Sequence, residues 1–497
     1  MQLILENPDF KFLSAFKKSE VFLVGGAVRD LILKRKNKDF DFVIIDKSAQ
    51  EIETILKNYG KVEAVESRAF GVFKFMPKRS KKIIDIALPR IDRWTGLGYK
   101  DLKTQTGVSL EEDLSRRDFT INALALNLEG ELIDKFDGIS DLKNKIIKAV
   151  GDASERFMED PSRILRSLRF ACELNFTIEE NTLLATKDLA QEIFKPLKNQ
   201  ESETRVAKEI MAGEFLKGFN ANPSKMIGFL NELKILKDLL PEIEAMKRVE
   251  QPKNFHSEGD VFIHSILALE KLQELEDNLK NNPQFINSNV VLKPTSIYAK
   301  LGVLFHDLGK PLSFISAEES GDRIRFTGHD IKGAKILNKI FKRLPLSIFA
   351  KDDKLHVDKE KLAWLIKHHM VCVAIDPNTI RLSTLEKYFF NPDNRGSELL
   401  ALSYADISAT IPPSGKPDFT LFNRLIKKLN EVSVIIYEKQ KEQALPHLLD
   451  GNEIMRILNL KPSKKVGEIK DEIRDLQLAG KLKSEEEAIV WLKANKF

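Results

Sequence analysis

The hydrophobic pattern of this chain changes near Gly151, and that change limits the folds it can adopt. Before that point, short apolar runs of strand length occupy residues 21–24, 41–45, 70–75 and 82–88, with helical patterns between them. Beyond it the apolar patterns become long and helix-compatible, with few strand signals. We therefore predict an α+β multidomain protein, with a mixed sheet near the N-terminus and a mostly α-helical remainder.

Length and composition exclude several classes of protein. A chain of 497 residues indicates several domains, and its 42% hydrophobic and 31% charged residues are typical of globular rather than disordered proteins. No apolar run approaches the roughly twenty residues needed to span a bilayer, and the N-terminus does not resemble a secretory signal. We therefore expect a cytoplasmic protein. Cys172 and Cys372 lie too far apart in sequence to suggest a disulfide framework or a cysteine-type zinc site.

Two features of a phosphate-transfer site follow each other closely near the N-terminus. Gly25 and Gly26 follow an apolar strand, where they allow a tight turn that directs backbone N–H groups at an anion. Arg29 adds a forked donor for a triphosphate. Asp39 and Asp41 are two residues apart in a strand, so they project to one face and can hold two hard cations for in-line phosphoryl transfer. An isolated Asp-x-Asp is more often a solvated strand end, but this close succession favours a site.

Further polar residues extend this predicted site. Asp85 lies in an apolar strand, where a carboxylate is costly unless paired or metal-bound, so we regard it as a third acid at the metals. Arg116 and Arg117 can bind triphosphate oxygens. Asp118 or Asn122 can hydrogen-bond a ribose hydroxyl and so reject deoxynucleotides. Taken alone, such a run of arginines and aspartate is more often a charge cluster at a helix start.

A second polar pattern predicts a reader of nucleobases. Asp160, Arg163, Arg166 and Arg169 recur every three residues, a spacing that places them on one helix face. The carboxylate can accept from the exocyclic amine of C or A, while Arg163 donates to the adjacent ring nitrogen. U and G present the opposite pattern at both places, so C and A are selected without a nucleic-acid template. By itself this pattern would more often be a salt-bridged exposed helix.

This ordered set of motifs resembles the class II tRNA nucleotidyltransferases, the CCA-adding enzymes, which share their head domain with bacterial poly(A) polymerases. The resemblance covers residues 21 to about 213. Its motifs are Gly-Gly-Ala-Val-Arg-Asp, Asp39-x-Asp41, Arg116-Arg117-Asp118, Asp137-Gly138, Glu159-Asp160-x-x-Arg163 and Thr204-Arg205-Val206-Ala207-Lys208-Glu209. One departure is Thr204, where the family usually has Glu before Arg-Val, and Glu203 is the candidate substitute.

The resemblance implies a domain order and a set of ligands. It implies a polymerase-β-like nucleotidyltransferase head over residues 1–150, a helical neck and body with the nucleobase template over 151–250, and a tRNA-binding helical tail over 411–497. It also implies Mg²⁺ at Asp39 and Asp41, and CTP, ATP and the tRNA acceptor arm as partners. The residues it implies around the nucleotide are Gly26, Arg29, Arg117, Asp160, Arg163, Arg166 and Arg169. The net charge of +5 permits a polyanionic partner without requiring one.

Two further segments bear on the reaction. The Phe-Gly-Val-Phe element at residues 70–73 resembles CCA-adding enzymes more than poly(A) polymerases, which have Gly-Arg-Arg-Phe-Arg there. Residues 89–103 resemble the flexible loop whose loss accompanies enzymes that stop after CC. We therefore predict full CCA addition, with A-only addition and poly(A) polymerization as the alternatives.

Clustered histidines predict a second site within residues 251–410. The order His, His-Asp, His, His, Asp resembles the HD phosphohydrolase superfamily. The predicted metal ligands are His264, His306, Asp307, His329, His368 and Asp406. Imidazoles with carboxylates suit Mn²⁺, Ni²⁺, Co²⁺ or Fe²⁺ better than Mg²⁺, and such a metal activates water against a phosphate ester. Lys310, in the run His-Asp-Leu-Gly-Lys, is a candidate to bind substrate phosphate.

This second site leaves an alternative from another class of protein. An isolated histidine is more often a core or capping residue, so it is the ordered set that favours a site. In the alternative, the main activity is that of an HD phosphohydrolase and the head is an RNA-binding remnant. The presence of both Asp39 and Asp41 argues against it, because a remnant need not retain metal-binding carboxylates.

Overall fold

The computed structural model describes most of the chain, which forms two compact units. The described residues are 7–36, 40–63, 71–78, 80, 82–94, 102–197, 200–282, 292–441 and 446–495. The N-terminal unit is Met1–Asp238 and the C-terminal unit is Leu239–Phe497. Among the described residues, no helix combines the length and the apolar character needed to cross a membrane.

Within the described residues, a seven-stranded mixed sheet organises the N-terminal unit. In chain order the strands are β1 (Val21–Val24), β2 (Asp41–Ile44), β3 (Gly60–Glu63), β4 (Val72–Pro77), β5 (Ile84–Ala87), β6 (Arg90–Trp94), β7 (Leu102–Thr106), β8 (Leu124–Asn127) and β9 (Leu132–Asp134). The sheet order is β3-β4-β5-β2-β1-β8-β9, while β6 and β7 form a separate antiparallel ribbon. Only β2 and β5 run parallel, so the predicted mixed sheet is confirmed.

The apolar runs place the strands close to where the sequence predicts them. All four residues of β1 are buried, because this strand lies between β2 and β8 inside the sheet. The predicted strands at 41–45 and 82–88 are each shorter in the structure, and the one predicted at 70–75 begins at Val72. Residue 70 and part of the predicted loop at 89–103 lie outside the described residues.

Helices surround this sheet and continue beyond it. They are α1 (Gly26–Ile32), α2 (Ala49–Tyr59), α3 (Leu110–Ser115), α4 (Gly138–Asn144), α5 (Ala153–Glu159), α6 (Ser162–Glu173), α7 (Glu180–Leu189), α8 (Lys208–Ala221) and α9 (Pro223–Glu232), followed by α10 (Leu236–Leu239). Two small strand pairs join β10 (Ile146–Ile147) to β11 (Thr177–Ile178) and β12 (Pro196–Leu197) to β13 (Gln200–Thr204). Helix α6 packs against α8 and carries the predicted base-reading arginines.

The connection between α5 and α6 differs from the sequence prediction. Asp160 lies between the two helices rather than on a helix face, with an extended backbone at φ −139° and ψ 93°. Pro161 explains the break, because proline lacks a backbone N–H and disfavours a helical conformation in the residue before it. The Asp160 carboxylate accepts a hydrogen bond from the Ser162 N–H at 3.0 Å, so it stabilises the start of α6.

The C-terminal unit is mostly helical, as predicted. Its α-helices are α11 (Pro241–Glu244), α12 (Val261–Asn281), α13 (Ile297–Phe305), α14 (Ala317–Ser320), α15 (His329–Arg343), α16 (Lys359–His368), α17 (Val371–Ala374), α18 (Leu382–Leu385), α19 (Gly396–Ala409), α20 (Thr420–Lys441), α21 (Gly451–Leu458), α22 (Lys464–Leu478) and α23 (Glu485–Ala494). Every residue of α13 is buried, and this helix packs against α12 and α19. The last three helices share a small apolar core that includes Ile454, Ile473 and Leu492.

Candidate active sites

Two carboxylates lie side by side at the edge of the N-terminal sheet where β1 turns into α1. Asp41 on β2 and Asp85 on β5 are register partners on parallel strands, and both are exposed. Lys74 on β4 is the register partner of Asp85, so it belongs to the same row. Exposed carboxylate oxygens on one face fit a hard cation such as Mg²⁺. Asp39 lies outside the described residues.

The glycine turn between β1 and α1 brings backbone and guanidinium groups together. Gly25 has φ +69°, and a Cβ atom there would lie 2.7 Å from Arg117 Nη1. A Cβ on Gly26 would lie 3.4 Å from Arg29 Nη2. The glycines therefore allow two arginine side chains to lie against the start of α1, where the helix dipole also favours an anion.

A hydrogen-bonded network connects the turn to α6. Arg29 Nη1 donates to Asn122 Oδ1 at 2.8 Å, Asn122 Nδ2 donates to Asp118 Oδ1 at 3.0 Å, and Arg166 Nη2 donates to Asp118 Oδ2 at 2.6 Å. Burial opposes ionisation of Asp118, but the Arg166 charge and the Asn122 hydrogen bond outweigh it and lower its pKa to about 2. Both polar residues predicted to contact ribose thus have protein partners that fix their positions.

Carboxylates that the sequence analysis missed hold the arginines in place. The buried Asp113 pairs with Arg116 at 2.8 Å and with Arg117 at 3.1 Å. On α8, the buried Glu214 lies 2.6 Å from Arg169 Nε and 3.6 Å from Arg166 Nη1. The only sequence signal for Asp113 is its place one helical turn before the two arginines, and Glu214 has no comparable signal.

An aromatic ring completes this arrangement. The guanidinium carbons of Arg169, Arg29 and Arg166 lie 4.0, 5.1 and 5.6 Å from the centre of the Phe170 ring. At these distances the ring face attracts the cations and restrains them near one another. Phe170 was also missed from sequence, because an aromatic residue in an amphipathic helix usually indicates core packing.

Many of these residues line one cavity of about 610 Å³, although the predicted third acid, Asp85, is not among its wall residues. Of the predicted residues, it brings together Gly25, Gly26, Arg29, Asp41, Arg116, Arg117, Asp118, Asn122, Asp160, Arg163, Arg166 and Arg169, with Asp30, Phe170 and Lys217 in addition. Basic groups outnumber the acidic groups around the wall, which favours a polyanionic ligand. Arg163 Nη2 donates to the Arg116 carbonyl oxygen at 2.9 Å, so a backbone contact also holds this predicted base reader in place.

A second cluster lies in the C-terminal unit, where several helix ends converge. The buried helix α13 ends just before His306 and Asp307, while His264 lies in the first turn of α12 and Asp406 near the end of α19. His306 Nε2 lies 3.1 Å from Asp307 Oδ2 and 3.6 Å from Asp406 Oδ1. His264 Nε2 lies 3.0 Å from Asp406 Oδ1. The structure therefore brings these four predicted ligands together.

The remaining predicted ligands differ in where they lie. His329 joins the cluster, with its Nε2 3.5 Å from Asp307 Oδ1. His368 is in none of the potential metal-binding groups of the described residues, because its ring packs against Trp364 and Tyr388 instead. His369 takes its place, with Nε2 3.1 Å from His329 Nε2. Consecutive residues at the end of α16 face different directions, so the sequence pair could not show which ring points inward.

The carboxylates and the cationic side chains of this cluster stabilise each other's charged forms. Burial raises the pKa of Asp307, but His306 and Lys310 hold that pKa well below its usual range. Burial lowers the pKa of His306, but Asp307 and Asp406 outweigh it and raise that pKa to about 10. Burial and the His306 charge lower the pKa of His369 to about 4, so His369 is neutral near pH 7.

The donor atoms fit a divalent metal. Within the described residues, the buried His306 Nε2 and Asp307 Oδ2 make no well-formed hydrogen bond, although they lie in ion-pair contact with each other. Imidazole nitrogens with carboxylate oxygens suit Mn²⁺, Fe²⁺, Co²⁺ or Ni²⁺. Lys310 Nζ lies 2.7 Å from Asp307 Oδ2 and donates to Gln251 Oε1, also at 2.7 Å.

A cavity of about 780 Å³ opens onto this cluster. Its walls include Asp307, His329, His369 and Asp406 of the cluster, with the cations Lys310, Arg323 and Arg325. A cation-rich wall next to imidazole and carboxylate groups that could hold a metal suits a phosphate ester. The sequence analysis named Lys310 for this role and missed the two arginines.

Comparisons with known proteins match different families to the parts of the chain that contain these two sites. The family "Poly A polymerase head domain" matches residues 21–148, and the family "HD domain" matches residues 261–382. The Multifunctional CCA protein of Shewanella frigidimarina is 32% identical over 399 residues, which cover 78% of this chain and 83% of that protein. The Multifunctional CCA protein of Neisseria meningitidis serogroup A is 34% identical over 329 residues, covering 65% and 68% respectively.

Solved structures share the fold. The Thermotoga maritima CCA-adding enzyme complexed with tRNA is similar over 99% of this chain and 97% of that chain, with a TM-score of 0.55 and 22% identity. A CCA-adding enzyme in complex with ATP gives a TM-score of 0.56 at 22% identity, covering 99% and 96%. At this level of identity the likeness establishes the fold alone, whereas the sequence relatives establish the family. The chain belongs to the multifunctional CCA protein family.

Proposed function

We propose that this protein adds or repairs the 3′-terminal CCA of tRNA from CTP and ATP, without a nucleic-acid template. The carrying observation is that one cavity of the N-terminal unit joins Asp41 to the arginines of the glycine turn and to Asp160 and Arg163. In the proposed reaction the RNA 3′-hydroxyl attacks the α-phosphate, a new P–O bond forms and pyrophosphate leaves. Because tRNA and nucleoside triphosphates are its substrates, we also propose that the protein works in the cytoplasm.

The acidic side of the cavity is proposed as the reaction centre. Asp39 and Asp41 would hold Mg²⁺, which stabilises charge on the attacking and leaving oxygens when bound. Asp85, the register partner of Asp41, adds a carboxylate to the same face and concentrates negative charge there. Arg29 and Arg117 at the glycine turn bind the triphosphate and orient its α-phosphate toward the carboxylates.

The opposite side of the cavity is proposed as the base-selecting side. Asp160 accepts from the amine of C or A and Arg163 donates to the ring nitrogen, with Arg166 and Arg169 held beside them by Asp118 and Glu214. The Arg116 carbonyl oxygen likewise holds Arg163, so protein contacts anchor all three arginines. U and G would meet the wrong donor and acceptor, which costs about 1–3 kcal/mol for each buried polar group left unpaired.

Extension of tRNA distinguishes the candidate reactions. Three transcripts, ending before CCA, after C and after CC, are incubated with CTP, with ATP and with both in Mg²⁺. Completion of CCA on all three is expected. Extension of the CC-ended transcript alone would indicate an A-adding enzyme, and long A tails would indicate a poly(A) polymerase.

We propose a metal-dependent phosphohydrolase as a second activity. It is supported by the buried cluster around Asp307, which opens onto a cavity with Lys310, Arg323 and Arg325 on its wall. Hydrolysis of 2′,3′-cyclic nucleotides in Mn²⁺, Co²⁺ or Ni²⁺ tests it. The rate is expected to disappear in His306→Ala and Asp307→Ala and to persist in His368→Ala, whose side chain lies outside the cluster. Hydrolysis that persists in the first two variants would refute this site.

The domain order implied by the resemblance to CCA-adding enzymes is also part of the proposal. We propose a nucleotidyltransferase head over residues 1–150, a neck and body over 151–250, an HD phosphohydrolase-like domain over 251–410 and a tRNA-binding tail over 411–497. The tail would contact RNA phosphates, which gives salt-sensitive binding with little sequence information.

A further inference from the structure

A row of register partners crosses the N-terminal sheet from the glycine turn to Lys74. Val24, which directly precedes Gly25, is the partner of Asp41. Asp41 is in turn the partner of Asp85, and Asp85 is the partner of Lys74. Register partners on neighbouring strands project to the same face of a sheet. The two carboxylates and the lysine are exposed, so they form one accessible row beside the proposed reaction centre.

Helix α3 covers a neighbouring part of this face and leaves the row exposed. Val43 and Ala87 lie two residues beyond the carboxylates on β2 and β5, so they share their face. Both pack with Leu114 of α3 in an apolar cluster. The charged row lies next to this cluster, where a ligand from solvent can approach it.

The row leads away from the nucleotide cavity. Asp41 is a wall residue of that cavity, whereas Asp85 and Lys74 are not. Arg29 and Arg117, which we propose to bind the triphosphate, lie at the glycine turn on the other side of Asp41. In-line transfer places the attacking and leaving oxygens on opposite sides of the phosphorus atom. Because pyrophosphate would leave on the side of the arginines, the RNA 3′-hydroxyl would approach from the side of Asp85.

Lys74 is the cation of the row on that side. Among the described residues, no carboxylate forms an ion pair with its ammonium group, although Asp85 and Glu63 are its register partners. A lysine ammonium binds a phosphate as a compact point charge. The backbones of Asp41 and Lys74 are two strand spacings apart, roughly 10 Å. An RNA strand with its 3′-hydroxyl near Asp41 would therefore bring the phosphate of its last nucleotide within reach of Lys74.

We propose that Lys74 binds the phosphate of the 3′-terminal nucleotide of the RNA and so positions the 3′-hydroxyl for attack. This proposal rests on the proposed nucleotidyl transfer, to which it adds the contact that holds the RNA end. The ammonium group offsets the repulsion between that phosphate and the carboxylates of Asp41 and Asp85. Because every RNA has this phosphate, the contact positions the strand without reading its sequence.

Two RNA hairpins that differ in one phosphate test this contact. Both copy a tRNA acceptor stem that ends after the first C of CCA, and both carry a 2′-O-methyl group on the penultimate nucleotide. In one hairpin an uncharged methylphosphonate replaces the phosphate that joins the last two nucleotides. The methyl group keeps this linkage stable because it blocks the neighbouring hydroxyl.

Addition of CMP to both hairpins is compared in the parent and in three variants of the full chain. Lys74→Gln removes the charge and Lys74→Arg keeps it. Lys57→Gln is the matched control, since Lys57 is an exposed lysine of α2 that pairs with Glu53. The quantities measured are kcat/KM for the RNA and KM for CTP. Thermal unfolding verifies that each variant is folded.

Lys74→Gln should lower kcat/KM for the charged hairpin by about tenfold, because it removes a charge-assisted contact. With the uncharged hairpin it should stay within about twofold of the parent, since the contact is already missing there. KM for CTP should not change, and Lys74→Arg should retain most of the rate. Lys57→Gln should match the parent with both hairpins. Equal losses on both hairpins, or no loss in Lys74→Gln, would overturn the proposal.

RNA binding separates this proposal from the proposed reaction. Fluorescence anisotropy of the labelled hairpins gives Kd over a range of salt concentrations without any transfer step. For the charged hairpin, Lys74→Gln should reduce the slope of log Kd against log salt concentration by about 0.7, the value for one phosphate of a single strand. An unchanged slope would overturn the proposal. A parent that binds both hairpins but adds no CMP would refute the proposed function, and the slope would still decide whether Lys74 contacts the phosphate.

Discussion

Asp41 and Asp85 are register partners on the only parallel strand pair of the described N-terminal sheet, so their carboxylates leave the same face side by side. Asp41→Ala should therefore lower CMP incorporation by at least ~100-fold, because it removes several kcal/mol of transition-state stabilisation at the metal. Asp85→Asn should lower the rate less, since it leaves Asp39 and Asp41 in place. Single-turnover extension of tRNA measures both.

Asp46→Asn is the matched control for these changes. Asp46 follows the same strand, is exposed and has φ +57°, a conformation that asparagine tolerates. It should retain the parent rate. A rate for Asp41→Ala equal to that of the control would remove Asp41 from the reaction centre.

The turn at Gly25 should be more important for nucleotide binding than for stability. Gly25→Ala would strain a backbone at φ +69° and ψ −134° by about 1–3 kcal/mol and push a Cβ atom against Arg117 Nη1. Gly130→Ala also places a Cβ atom at a positive φ, +94°, but no described atom lies within 4 Å of its Cβ. Both should lower Tm, whereas only Gly25→Ala should raise KM for CTP and ATP. Equal KM values would show that Arg117 does not contact the triphosphate.

The sequence predicts which side chains carry the chemistry of these sites better than it predicts which residues hold those side chains in place. The glycine turn, Asp41 and the arginines of α6 could be predicted because local spacing determines which side chains share a turn or a strand face. Asp160 lines the same cavity from a break between two helices. Pro161 causes this break, so the three-residue spacing does not place Asp160 on the helix face of the arginines. Glu214 comes from a helix far along the chain, and no local pattern distinguishes it from other acidic residues on amphipathic helices.

The histidine–aspartate cluster of the C-terminal unit shows the same limit at single residues. The sequence analysis assigned His368 to the cluster, and this was wrong, because the rotation of α16 at its last turn brings His369 there instead. Nothing in the sequence spacing shows that Asp307 Oδ2 would face His306 and Oδ1 would face His329, because this depends on how the end of α13 meets the start of α15.

The Asp118–Arg166 pair should make the free energy of unfolding depend on pH in the acidic range. The pKa of Asp118 is lowered to about 2, below the value of about 3.9 for an unfolded aspartate, so the folded state favours the ionised form. Its contribution of about 2 kcal/mol is present above about pH 4 and disappears as the pH falls toward 2. Denaturant unfolding of the parent and of Asp118→Asn, compared from neutral pH downward, measures it. A difference that does not shrink below about pH 4 would contradict the assignment.

Both cysteines should be unreactive in the folded protein. Cys172 and Cys372 are buried, and burial raises the pKa of each thiol to about 12. At about pH 8.5, where an ordinary thiol is half ionised, neither should react with an aromatic disulfide reagent over minutes. After denaturation two thiols per chain should react. Rapid reaction of one thiol in the native protein would show that its helix opens readily.

Glu214 should act as a positioning residue for base selection. It pairs with Arg169 and Arg166 on α6, and both arginines line the nucleotide cavity beside Arg163. Glu214→Gln keeps the size of the side chain but removes its charge, which weakens contacts to charged groups by about 1.5–3 kcal/mol. The ratio of kcat/KM for CTP over UTP should therefore fall by about tenfold, which corresponds to ~1.4 kcal/mol. Glu173→Gln is the matched control, since Glu173 contacts Arg169 from a more exposed position at 3.5 Å and should leave the ratio unchanged. A purely structural role for Glu214 would lower Tm and both kcat/KM values together, without moving their ratio.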